Sequence, residues 1–123
     1  MPCKCETTTA DRGAVTAEFA LTLPAVILVL VFALAVLGQA TTQLRVTDAA
    51  TAVARAAAVG ESQRRLTEVA HQLAGPQAQV SVSTAGGWVT VAVTAPVPHH
   101  RLGLGPREAS ATATAPVEPG VEP

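Results

Sequence analysis

From Phe19 to Gly38 the chain reads FALTLPAVILVLVFALAVLG, twenty residues without a charge. As an α-helix this run is about 30 Å long, the thickness of a bilayer's hydrocarbon core. Only Thr22 and Pro24 interrupt it. A threonine hydroxyl can bond back to a helix carbonyl, and a proline's missing backbone donor is tolerated in membrane helices. The rest of the chain cannot wrap such a rod. Apolar residues make up 49% of the sequence, but the aromatics are only Phe19, Phe32 and Trp88, and most of the remainder is Ala and Val. These bury little area each, so neither a large core nor a roofed enzyme pocket is expected. A net charge of −1 lacks the basic excess of a nucleic-acid binder.

A span of this kind is a permanent anchor, a signal peptide or a prepilin-type N-terminus. Lys4 and Arg12 stand against Glu6 and Asp11 ahead of it, a mild version of a signal's basic region. The run exceeds the usual 7–15 apolar residues of a signal peptide. Even so, Gly38 and Ala40 sit at the −3 and −1 positions of a signal-peptidase cut after Ala40, and that alternative stays open. For orientation, Lys4 and Arg12 on one side balance Arg45 and Arg55 on the other. Arg12 lies closer to the run, which favours an N-terminus in the cytoplasm and a C-terminus outside.

Just before the span the sequence reads Gly13-Ala14-Val15-Thr16-Ala17-Glu18-Phe19. A glycine after a short polar leader, a glutamate five residues on and then an apolar helix resemble a prepilin peptidase motif. With the continuation Glu18-Phe19-Ala20-Leu21-Thr22-Leu23-Pro24, the segment resembles the opening of the TadE-like family of tight-adherence pilus proteins. The resemblance is strong from Asp11 to about Gly38, lies in layout alone as far as Ala115, and is absent from the tail. It implies a structural minor pilin or pseudopilin of a Tad-type (type IV-like) pilus, without catalytic activity or cofactor. It implies processing at Gly13, with Ala14 as the new N-terminus, and assembly through Glu18 and Phe19. The implied partners are membrane lipid, a prepilin peptidase, sibling pilins and the Tad assembly platform, with no nucleic acid bound directly.

The motif also has a physical reading of its own. Gly13 offers no side chain to obstruct an extended approach by a peptidase. Glu18 stands at the edge of the apolar run, where an acid disturbs insertion less than at its centre. Helices that leave lipid to pack together would bury Glu18, and an unpaired buried acid is costly. A neighbouring α-amino group would neutralise it. The plainer alternative is an interfacial acid favoured by the helix dipole.

Beyond the span, Gln39 to Val59 is Ala-rich without Gly or Pro, so the helix is expected to continue as a stalk with Leu44, Ala52 and Val59 on a thin apolar face. Arg45 and Asp48 are spaced to pair on its surface. Gly60 breaks it. Leu66, Val69, Ala70 and Leu73 then mark one face of a short amphipathic helix, with His71 at the boundary and Arg64 and Arg65 on its solvated side. Gly75-Pro76 stops that helix. Gln79–Thr84 and Trp88–Thr94 alternate around Gly86-Gly87, which predicts a hairpin with Val82 opposite Val91 and Val80 opposite Val93. Trp88 falls on the opposite face. Pro96 and Pro98 end the second strand, residues 99–107 form a turn-rich connection, and Glu108–Ala115 alternates as a weak third strand.

The expected organisation is therefore α+β. A leader occupies 1–13, a transmembrane helix 14–38, the helical stalk and second helix 39–75, a small antiparallel sheet 76–115, and a Pro-rich disordered tail 116–123. Candidate chemistry is sparse. Cys3 and Cys5 have no second pair to complete a zinc site, and His99 and His100 have no evident third ligand. The stretch Gly103–Glu108 begins like a phosphate loop but lacks the third glycine. The readings that remain besides the pilin are a small secreted binding protein and an uncleaved single-pass adaptor.

Overall fold

A computed structural model describes residues 7–98, 103 and 108–120, with side chains from residue 13 onward. The elements in order are α1 (Thr7–Ala58), α2 (Gln63–Ala74), β1 (Gln79–Ala85), β2 (Trp88–Pro96) and β3 (Glu108–Pro116). This is an α+β chain with a long N-terminal apolar helix, a short helix and a three-stranded antiparallel sheet of order β1-β2-β3. It divides into two units, Met1–Leu34 and Ala35–Pro123.

The first unit contains most of the apolar run of α1. Its described large apolar side chains are all exposed, among them Phe19, Leu21, Ile27, Leu30 and Phe32. Helical geometry pairs the backbone except where Pro24 lacks its N–H, and two residues ahead of it the Thr22 hydroxyl donates to the Phe19 carbonyl at 3.0 Å. The helix is long and apolar enough to cross a membrane, and none of its most apolar window is buried within the chain.

The second unit holds the core. Val46, Ala49, Ala50, Val53 and Ala54 of α1 face Leu66 and Ala70 of α2 and the inward row Val89, Val91, Val93 and Ala95 of β2. Spacings of three and four residues place the α1 positions on one stripe. The largest fully buried side chains are Val46, Val53, Val91 and Val93. At about 1.5–3 kcal/mol for each buried side chain of this class, the core is assembled from modest contributions. The buried face differs from the expected one, since Leu44 and Val59 are 66% and 49% exposed. The helix packs in this core through Val46 and Val53 with small alanines around them, while Leu44 points outward. The segment read as a stalk thus supplies the central helix of this unit. Arg45 and Asp48 form no ion pair. Among the described residues the ion pairs are Arg64 and Arg65 with Glu68, both exposed and of small energetic weight.

Local signals account for the ends of the elements. At Gly60 (φ 82) the Gly60 amide donates to the Ala57 carbonyl and the Glu61 amide to the Ala56 carbonyl. That pair of bonds is a Schellman motif and explains why α1 stops there. Ser62 caps α2 by accepting from the Arg65 amide. Gly75 (φ 102) closes it, and the His71 ring lies 3.1 Å from the Ala78 carbonyl just beyond. Gly86 and Gly87, both with positive φ, form the two-residue turn. Val80 pairs with Val93 and Val82 with Val91, as the alternation predicts.

β3 adds to the far side of β2, with Ala111 opposite Val93 and Ala113 opposite Val91. It is tied to α1 at both ends. Gln43 donates to the Ser110 carbonyl at 2.9 Å, and the Glu118 amide donates to the Ala58 carbonyl at 3.1 Å. The buried stripe of α1 generates a test. Ala50→Leu should overfill the helix–sheet contact and lower unfolding free energy by about 1–3 kcal/mol. Leu44→Ala should change it by no more than about 0.5 kcal/mol. Denaturant unfolding followed by far-ultraviolet circular dichroism distinguishes the two.

Candidate functional site

The segment singled out by its motif, Gly13 to Phe19, lies entirely within α1. Gly13 is therefore helical, with open space where a Cβ would stand. The helix already runs from Thr7, so the Gly13–Ala14 bond lies inside regular backbone and must unwind before a peptidase can hold it extended. Glycine in a helix interior is about 1 kcal/mol less favourable than alanine, which makes this the easiest point of the segment to open.

Ala14 and Glu18 are four residues apart and share a helix face, separated by about 6 Å of rise. Glu18 is exposed and has neither an ion pair nor a hydrogen bond to any described residue. Phe19 is 68% exposed and opens the apolar surface that continues to Leu37. The arrangement is an acidic side chain at the margin of an uncovered apolar rod. Gly13 to Phe19 contains no nucleophile paired with a base and no group of metal ligands. Among the described residues there is no cluster of three or more His, Cys, Asp or Glu able to hold a metal. Cys3, Cys5, His99 and His100 lie outside the described residues, as does most of the connection at 99–107.

Gln43 was not foreseen as a positioning residue. Its partner Ser110 is 67 residues away, and nothing in the local sequence signals a contact at that distance. The chemistry at Trp88 is as expected: its side chain is 54% exposed, on the face of β2 away from the core.

These features define a class: a small α+β unit following an N-terminal helix suited to a membrane. Residues 13–55 match the family model described as TadE-like protein, the family that the N-terminal motif resembles. The match begins at Gly13, ends at Arg55 within α1, and leaves α2 and the sheet outside it. No curated protein and no solved structure matches the chain.

The helical setting of Gly13 gives a measurable consequence. Gly13→Ala should stabilise the local helix by about 1 kcal/mol. Amide exchange over residues 13–18 should slow by about fivefold in micelles. Unchanged exchange would mean that this stretch is not helical in solution.

Proposed function

We propose that this chain is a structural minor pilin or pseudopilin of a Tad-type pilus apparatus, held in the cytoplasmic membrane by α1 and assembled through it. The observation that carries this reading is the TadE-like match over residues 13–55, which falls on a helix whose apolar surface the rest of the chain leaves uncovered. Lipid covers that surface before assembly, and the helices of sibling pilins cover it afterwards. The N-terminus faces the cytoplasm, where a prepilin peptidase cuts between Gly13 and Ala14, and the second unit lies outside. The role is structural, not enzymatic. Release by a cut after Ala40 is less well supported, because Ala40 lies within α1, two residues before the buried Thr42.

In this reading Glu18 meets the α-amino group that cleavage creates at Ala14 of a neighbouring subunit. Among the described residues Glu18 has no side-chain partner, which leaves it available to that amine on assembly. Phe19 packs at the start of the same contact.

Two experiments address these steps. Intact-mass measurement of the protein from membrane fractions should give a chain beginning at Ala14. A chain beginning at Thr41 would overturn the pilin reading and support secretion. For assembly, Glu18→Gln should leave membrane insertion and cleavage largely intact while removing a charge-assisted contact. A desolvated pair that loses one partner costs about 3–5 kcal/mol, so recovery of the variant in the pilus fraction should fall more than about a hundredfold. Normal recovery of correctly processed variant would remove Glu18 from the assembly contact.

A further inference from the structure

The sheet of the second unit has one face on the core and the other in solvent. Along the solvent face, from Gln79 to Ala85, Trp88 to Thr94 and Ser110 to Pro116, no position is charged. The first charge on that face is Glu108, at the end remote from Trp88. The strand register sets hydroxyls side by side in rows: Ser83, Thr90 and Thr114 form one row, and Ser81 and Thr112 flank Ala92 in the next. Trp88 closes the array, between Ala85 and Pro116.

These hydroxyls differ from those of the helices. Thr22, Thr41, Thr42, Thr47, Thr51 and Thr67 each donate to a carbonyl three or four residues back. The seven Ser and Thr hydroxyls of the sheet's solvent face bond to no described residue. They are a two-dimensional set of donors and acceptors with their capacity unspent, beside one exposed aromatic plane.

The chemistry of the face narrows its occupant. Without charge it offers nothing to a phosphate, a sulfated polymer or a basic peptide. Three strands about 4.8 Å apart and about 23 Å long present on the order of 300 Å², well below the roughly 800 Å² per partner of a stable protein interface. Apart from Trp88 the face has no large apolar or Arg anchor of the kind that dominates protein docking. A pyranose ring suits what remains, because its C–H face stacks on an indole and its hydroxyls exchange hydrogen bonds with Ser and Thr.

We propose that the solvent face of the sheet binds a neutral polysaccharide, one ring stacked on Trp88 and the next bonded to the row containing Thr90 and Thr114. Trp88 is the chain's single tryptophan and there is no tyrosine, so intrinsic fluorescence reports this face alone. The test uses the full chain in a zwitterionic detergent without a sugar headgroup, titrated with cellohexaose, chitohexaose and maltohexaose, and with a heparin hexasaccharide as the anionic control. At least one neutral sugar should give a saturable fluorescence change with a dissociation constant on the order of 1 mM or tighter. The heparin fragment should give none. The double variant Thr90→Val with Thr114→Val keeps β-branched side chains in the strands. It should weaken binding by about tenfold or more, with an unchanged circular dichroism spectrum showing that the sheet is intact. The proposal is overturned by a flat titration with all three neutral sugars, by an equal response to the heparin fragment, or by binding that survives the double substitution in a folded protein.

Discussion

An apolar surface that finds no cover inside its own chain must be covered from outside. That constraint governs the N-terminal unit, where Phe19, Leu21, Ile27, Leu30 and Phe32 all stand exposed on α1. Away from Pro24 the helix satisfies its own backbone hydrogen bonds, so a change between lipid and a bundle of like helices would act mainly on what its side chains touch. Glu18 stands exposed at the edge of that surface, and an acid is a group for which two such environments differ strongly.

The second unit follows a different economy of side chains. Its helix meets the sheet through Ala49, Ala50 and Ala54 between Val46 and Val53, and the sheet answers with Val89, Val91 and Val93. Small residues leave little volume to fill, which is how a chain with only three aromatics closes a core. Directional bonds add what apolar area does not. The Schellman motif at Gly60, the Ser62 cap and the bonds from Gln43 and Glu118 fix where α1 ends and where β3 lies.

Those parts of the fold that depend on short-range chemistry could be read from the sequence. Gly60, Gly75-Pro76 and Gly86-Gly87 punctuate the chain, and the valine alternation of β1 and β2 permits one register around a two-residue turn. The orientation of α1 was not legible. In an Ala-rich helix the apolar signal is nearly even around the axis, and Leu44 and Val59 pointed to a face other than the one that Val46 and Val53 bury. The expected Arg45–Asp48 pair did not form, since an exposed pair gains too little to fix two long side chains. The contact from Gln43 to Ser110 exists only once the tertiary structure does. In the candidate site, the motif singles out Gly13 and Glu18, but the roles proposed for them involve other molecules and leave no mark on the geometry of a single chain.

The bonds that bind β3 to α1 carry a consequence for the order of events in the cell. β3 is paired to the central strand along its whole length, and the ties at Gln43 and Ala58 join segments made early to segments made at residues 110 and 118. Contacts so distant along the chain close late. The apolar helix is synthesised before its downstream unit can be completed, so any engagement of α1 with a membrane comes ahead of final folding. Between those two moments the half-built core, with the valines of β2 still open on one side, is the stage at which this protein is most exposed to aggregation or proteolysis.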